Sequence, residues 1–547
     1  MISFFKKFTK FEKIILAVIF IIYCNNLFID IMQVDAAQYA GISFQMAHTN
    51  SYLEIKEFQN DYLDKPPLLF WFSSVGIKIF GITNFGYKIA SFLLLLLSLF
   101  AVYRFALLYY KENVAKNALI ILASTQAFFL ITNDVRTDSF LTSCVIISVW
   151  LFSEFFENRK LINLIFGSVF VALAMMAKGP IGMIAVLLPI GINLMYKQKW
   201  KDVFAFRWIL VILIISVLLI PMSYGLYMQF DMHPEKITNG VKGQSGLYFY
   251  YWLQSFGRIT GENVWNNGHP WHFFLGSIFW DYFPWIIPLY FAVFFTFKNF
   301  ISSKIKLPEI TSLIGFVSVF AMLSLSKYKL PHYVFVTFPF ASVITAVYLT
   351  NLEIKIIRRW KFFNYFLSII ILSIFIIYPI LFFKEFNFWV LLCVILQIFV
   401  IFKVTKSTES NVSILLSLVL TLNIFLSFVL YPKLLTFQAD SMAGKWAYNN
   451  LKQENVYLYN SYSNSFSFYN KKPFIRVIKK EELNNIKKPF WIYINKENLN
   501  EIKESNLKIT TKKSFDNYSI SQLKLKFLLS DSRKNQLNYK FLIKIEK

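Results

Sequence analysis

The chain has 547 residues, of which 56% are hydrophobic, 19% aromatic and 16% charged, with a formal net charge of +25. A water-soluble enzyme carries charge on roughly a quarter of its residues, so the composition excludes that class. A positive balance in a soluble protein would suggest nucleic acid. In a chain this apolar it reads instead as lysine in short loops and a lysine-rich tail, facing anionic lipid or an anionic substrate, with no nucleic-acid partner.

Apolar stretches of about 20 residues recur from residue 14 to residue 431, the pattern of a polytopic α-helical membrane protein. Spans are expected at 14–34, 86–110, 114–132, 136–156, 161–177, 180–196, 208–228, 273–297, 309–326, 332–351, 362–383, 386–402 and 411–431, about thirteen in all. The first apolar segment is long and no small-residue cleavage site follows it, so a cleavable signal peptide is not expected. Cys24, Cys144 and Cys393 all lie inside apolar segments and suggest neither a disulfide framework nor a zinc site.

The stretch PPLLFWFSSVGIKIFG at 66–81 is short for a span and carries Lys78, which points to an interfacial helix. Asp64 is placed to cap that helix and Pro66 to open its first turn. If 66–81 does not cross, the short basic loops all fall on one face. These are the loops with Lys6 to Lys13, Lys111 and Lys116, Arg159 and Lys160, Lys197 to Arg207, Lys298 to Lys306, Lys355 to Lys361, and Lys403 with Lys406. By the positive-inside rule that face is cytoplasmic.

The opposite, external face then receives the loop 35–85, TNDVRTD at 132–138, AKGP at 177–180, the loop 229–272, SKYKLPHY at 326–333 and everything from about 433. Residues 1–432 form the expected transmembrane catalytic domain and 433–547 a small external α/β domain. In the tail, VYLYN, PFIRVI and PFWIYI read as strands, and EELNNIKK and KENLNEIKE as helices.

Several side chains on the external face invite a chemical role, and each also has a plainer one. Asp35 can cap the helix that follows it. Asp134 and Asp138 flank Arg136 as in a local surface ion pair. Lys178, Lys327 and Lys329 stand where lysines snorkel. His269 and His272 share a loop, as histidines that bind nothing often do. Asp281 lies inside the expected span 273–297, and an intramembrane acid is a functional candidate by default; a late start to that span would leave it outside. Together, carboxylates (Asp35, Asp64, Asp138) and cations (Lys65, Lys178, Arg258, Lys329) on one aqueous side suit an anionic lipid-linked substrate. The cations would meet its phosphate and a carboxylate an acceptor hydroxyl.

The order of these motifs resembles the GT-C glycosyltransferases over roughly residues 10–450. It is most similar to glycosyltransferase family 39, the dolichyl-phosphate-mannose-protein mannosyltransferases, and to the aminoarabinose transferase of lipid A. The features shared are a first-loop aspartate, an acid-Lys-Pro-Pro motif, an Arg-x-Asp turn, Lys-Gly-Pro and Lys-x-Lys-Leu-Pro-x-Tyr. The resemblance implies an all-α polytopic GT-C domain with a small external α/β tail, in the bacterial inner membrane with its N-terminus cytoplasmic. The implied reaction moves a sugar from a polyprenyl phosphate donor to lipid A, a surface glycan or a protein, with inversion.

Asp35 matches the family's general base, although Ala36 replaces the acid usual at the next position, which points to an altered acceptor. Asp64 and Lys65 match its acid–lysine pair, and Asp138 the aspartate of the next external turn. Lys178, Arg258 and Lys329 match positions that hold the donor phosphate, with Tyr333 nearby. No cofactor is required; a divalent metal at His269, with Asp64, is the one site for an ion that the resemblance offers. The chain is expected to act as a monomer among membrane lipids. A lipid-linked-sugar flippase and a surface-polymer ligase or polymerase are the competing readings; the first needs polar groups through both halves of the membrane, and few lie on the cytoplasmic half.

Overall fold

A computed structural model describes residues 6–546 apart from 264, 303–305, 352–353, 407–410, 474, 478, 488 and 504–506. Seven of its described helices are long and apolar enough to cross a membrane, among them Asn84–Tyr109, Thr137–Asn158 and Leu161–Lys178. An eighth forms if Glu112–Ser124 and Gln126–Asn133, bent by 54°, count as one span. The bend falls at Thr125, whose side chain accepts from the Phe128 amide and caps the second helix.

Of the thirteen expected spans, seven or eight meet that length and composition, and others stand as shorter apolar helices, among them Ile181–Tyr196, Ile286–Ser302, Thr311–Leu325 and Phe388–Phe402. The segment expected at 14–34 is helical over Lys10–Asn26 and irregular beyond. The carbonyls of Asn26, the last helical residue, and of Ile29 in the irregular part accept from the buried Lys88 ammonium at 3.0 and 2.7 Å, so backbone that leaves the helix is satisfied inside the protein. The segment expected at 273–297 is broken into Phe273–Asp281 and Ile286–Ser302, with Pro284, which has no amide to donate, in the gap. Asp281 ends the first piece; its Oδ2 is buried and has no hydrogen-bond partner among the described residues. The helix of the 66–81 stretch is Leu68–Phe80, 13 residues. At 1.5 Å per residue that is about 20 Å, short of a hydrocarbon core of about 30 Å.

The loops divide between two ends. At one, Arg159 grips Asp202 through two bonds of 2.7 Å, Lys197 meets Glu157 at 3.3 Å, and Tyr110 donates to Glu309 at 2.9 Å. The basic loops of residues 111–116, 159–160 and 197–207 belong there. Lys304 lies outside the described residues, as do the side chains of Lys355, Arg358, Arg359, Lys361, Lys403 and Lys406. The other end carries the loops around residues 35, 64, 136, 178, 258 and 333, described below.

The tail folds as a five-stranded mixed sheet in the order 475–477, 456–459, 490–495, 538–546, 508–517. The first three strands are parallel and the last two pair antiparallel. Strand Phe490–Asn495 is buried on both faces, so it reads as a continuous apolar run. Phe490, Ile492 and Ile494 face Leu499 and Ile502 of one helix, while Trp491 and Tyr493 face Ala439, Ala443 and Ala447 of another. This domain sits on the first loop: Lys445 pairs with Asp30, the Ile31 amide donates to Tyr469 Oη at 2.8 Å, and the Gln33 amide donates to Gln438 Oε1 at 2.6 Å.

Candidate active site

Asp35 is the first residue of helix Asp35–Thr49, preceded by Val34 at the cap position, and no side-chain cap bond forms there. Its carboxylate turns instead to Arg136 Nη1, across 101 residues of chain. Arg136 itself precedes helix Thr137–Asn158 and gives its Nε to Asp134 Oδ2 at 2.7 Å. Burial opposes the guanidinium charge, but Asp134 and then Asp35 outweigh it and hold Arg136 charged more firmly than usual. One oxygen of Asp35 is therefore fixed, while the other has no protein hydrogen bond among the described residues.

Asp64 does not cap the helix that follows, which begins at Leu68 behind Pro67 without a side-chain cap. The two prolines lengthen the turn, and the Asp64 carboxylate is drawn back to Lys65 Nζ at 2.8 Å and to Arg258 Nη2 at 3.7 Å. Its carbonyl accepts from Gln254 Nε2 at 2.7 Å. Burial would raise the Asp64 carboxyl, but Lys65 and Arg258 more than offset this and hold it below the usual carboxylate range. Burial likewise opposes the Lys65 ammonium, and Asp64 and Tyr333 tip it the other way, upward.

Arg258 sits in the short helix Gly257–Thr260, is 5% exposed, and donates to Tyr333 Oη at 3.1 Å. Its Nε is buried and has no partner among the described residues. Tyr333 lies in the 3₁₀ turn Pro331–Thr337. Asp35, Asp64, Lys65, Arg258, His332 and Tyr333, with Tyr39, Tyr62, Tyr328 and others, enclose a cavity of about 330 Å³.

The remaining expected residues fall elsewhere. Lys178 ends helix Leu161–Lys178, where Gly179 at φ +84° breaks off the helix. Its ammonium forms a buried ion pair with Asp138 and lies 3.3 Å from the centre of the Tyr333 ring. Both stand behind the cavity wall: a buried ammonium needs an anion, and Asp138 is the one within reach. Lys329 is buried too, and it donates to the His269 carbonyl at 3.0 Å and to that of Ser326. It clamps the loop around 267–269 and does not face the cavity. The exposed lysine of that motif is Lys327.

His269 stacks on Phe273 at 4.2 Å and is exposed, outside the cavity wall. Asp64 is already committed to two cations, and no group of three or more His, Cys, Asp or Glu side chains converges among the described residues. These donors do not fit a metal ion.

His332 went unnoticed in the sequence. It lies 3.5 Å from Asp138 Oδ2 through Nε2 and 3.3 Å from Arg136 Nη1 through Nδ1, joining the wall to the pair behind it. Its adjacency to Tyr333 in KLPHY was the available signal.

Comparison with known proteins locates this arrangement. The model of the dolichyl-phosphate-mannose-protein mannosyltransferase family matches residues 64–224, which include Asp64, Lys65, Asp138 and Lys178. The undecaprenyl phosphate-alpha-4-amino-4-deoxy-L-arabinose arabinosyl transferase of Wigglesworthia glossinidia brevipalpis is 24% identical over 384 residues, 68% of this chain and 64% of that protein. The corresponding transferase 2 of Proteus mirabilis (strain HI4320) is 24% identical over 308 residues, 55% and 52% of the two chains. The crystal structure of ArnT from Cupriavidus metallidurans bound to undecaprenyl phosphate superposes with a TM-score of 0.70 at 14% identity, covering 97% of each chain. The chain shares the fold of ArnT. Sequence matches to curated relatives span between 52% and 71% of their length, whereas the ArnT fold extends over nearly the whole chain.

Proposed function

We propose that this protein transfers a sugar from a polyprenyl phosphate, undecaprenyl phosphate in a bacterium, to an acceptor hydroxyl or phosphate at the external face of the inner membrane, with inversion. The observation that carries the reading is a single cavity that sets Asp35 beside the Asp64–Lys65–Arg258–Tyr333 cluster.

The acceptor oxygen attacks the anomeric carbon as the bond from that carbon to the phosphate oxygen breaks, and one displacement inverts the centre. Lys65 and Arg258 neutralise the charge that grows on the departing polyprenyl phosphate. Asp64 aligns both cations without cancelling them, one carboxylate against two positive charges. The unengaged oxygen of Asp35 takes the proton of an acceptor hydroxyl, while Arg136 keeps the carboxylate oriented. A phosphate acceptor brings its own negative oxygen and needs no such base. Lipid A, a surface glycan and a protein are the acceptors to be distinguished; the relatives named for aminoarabinose transfer support lipid A first.

The test is release of polyprenyl phosphate by the purified protein given a polyprenyl phosphate sugar and candidate acceptors. Transfer that survives at the wild-type rate in Lys65→Ala would sink the assignment. Comparing lipid A, surface glycans and glycoproteins by mass spectrometry, from cells with and without the protein, identifies the acceptor.

A further inference from the structure

A second cleft, of about 460 Å³, lies where helix Asp35–Thr49 and the hairpin at 56–61 meet the C-terminal domain. Its aromatic wall is Phe44, Phe58 and Tyr462, the last two stacked at 5.3 Å and 19°. Phe58 stands at φ +61°, a region bulky side chains rarely enter. Gln45 holds it there, accepting from the Phe58 amide at 2.8 Å and donating to the Phe58 carbonyl. Strained backbone of this kind persists where the surrounding structure imposes it, and here it turns an aromatic ring toward Tyr462.

The charge in the cleft has one sign. Among the described residues, its charged or imidazole side chains are Arg476 and His48, and no carboxylate lines it. The Arg476 guanidinium lies 3.7 Å from the centre of the Tyr462 ring and contacts its hydroxyl, while its Nε has no hydrogen-bond partner among the described residues. Aromatic faces beside a guanidinium and side-chain amides suit a sugar ring that bears an anionic group.

The hairpin is shared with the reaction cavity. Glu57 and Asp61 line that cavity, whereas Phe58 and Asn60 between them line the cleft. Asn464 closes the seam by donating to Glu57 at 2.6 Å. It packs so near Gly41 that any side chain at 41 would collide with its amide. A molecule held in the cleft therefore rests against the wall of the reaction cavity.

We propose that this cleft docks an anionic sugar of the acceptor glycan, with the Phe58–Tyr462 stack taking a ring face and Arg476 the phosphate or carboxylate. The proposal rests on the transferase reading for the word acceptor, and its test does not depend on transfer.

The test titrates the full-length protein in detergent with three probes: deacylated lipopolysaccharide core oligosaccharide carrying its phosphates, the same oligosaccharide dephosphorylated, and an oligogalacturonate. Saturable binding of the phosphorylated or the carboxylated probe is expected, the two arms telling which anion is preferred. Binding of the preferred probe should weaken by about tenfold in Arg476→Gln, the scale of one charge-assisted contact. It should also be lost in Gln59→Trp, which fills the cleft from the exposed hairpin tip. Both variants should still bind polyprenyl phosphate, which reports an intact fold. No saturable binding of either anionic probe, or equal affinity in wild type and both variants, would overturn the proposal. A protein that binds the glycan but transfers no sugar would instead overturn the transferase reading and leave the cleft standing.

Discussion

Lys178 and Asp138 form a buried ion pair against the back of the Tyr333 ring, and neither side chain reaches the cavity. Removing one partner leaves the other's buried charge with no opposite formal charge of comparable reach, Asp138 keeping only His332 and Lys178 only the Tyr333 ring, which costs about 3–5 kcal/mol. Lys178→Ala and Asp138→Ala should each lower the unfolding temperature sharply, whereas Lys178→Met with Asp138→Leu should recover much of the loss. A thermal-shift series on the purified variants checks this; a donor-binding defect in Lys178→Ala without any fall in stability would return Lys178 to the phosphate site.

Lys65 and Arg258 are the cavity's cations, so their removal should be felt in rate. Lys65→Ala is expected to lower turnover by about two to three powers of ten while leaving the unfolding temperature little changed. Arg258→Lys should fall by a similar factor, because a lysine cannot serve Tyr333 and the donor together as a planar guanidinium can. Single-turnover release of polyprenyl phosphate measures both.

For a hydroxyl acceptor, Asp35→Asn should cost about two to four powers of ten in kcat with donor affinity unchanged. For a phosphate acceptor the same variant should cost far less. Comparing the two acceptor types in one variant reads the role of the carboxylate directly. Arg136→Ala should disturb both, since it frees Asp35 and Asp134 at once.

Asp64 sets an acid limit on stability. Its carboxyl is held below the usual range, burial being outweighed by Lys65 and Arg258. The folded-state value thus lies below the unfolded value of about 4. The stabilisation is complete above that unfolded value and is lost as pH falls through the folded one. Unfolding temperatures measured from pH 7 down to pH 3 should drop in the wild type, and the drop should be smaller in Asp64→Asn.

His269 stacks in an exposed loop away from the cavity. His269→Ala should therefore keep activity within about twofold, on the scale of a surface change away from the site. Assay of that variant alongside wild type, each with and without added divalent ions, checks the point; a large loss restored by an ion would show a metal role.

The membrane class and the clustering of loops at one end were legible because burial and charge are written residue by residue. Asp35, Lys65 and Arg258 could be named for the same reason, each a charged group in a loop between apolar runs, whereas Tyr333 was named by the family resemblance alone. What the linear pattern does not carry is partner choice. Nothing in AKGP says that Lys178 is spent on Asp138, 40 residues away, and nothing in SKYKL distinguishes the buried Lys329 from the exposed Lys327. Helix ends were hidden too: the apolar run at 27–34 looks like more of the same span, yet its backbone leaves the helix because a lysine from the next span accepts the task of satisfying it. Pairing of this kind is decided in three dimensions, which also explains why His332 went unnoticed between Arg136, 196 residues earlier in the chain, and Asp138.

The contacts made by residues 30–33 set an order on biosynthesis. Asp30, Ile31 and Gln33 are held by Lys445, Tyr469, Gln438 and Asp440, and the very next turn positions Asp35. A nascent chain that has already threaded every membrane helix still lacks the brace for its first loop until the last hundred or so residues emerge and fold. A ribosome-bound or truncated chain would hold its first loop without these contacts.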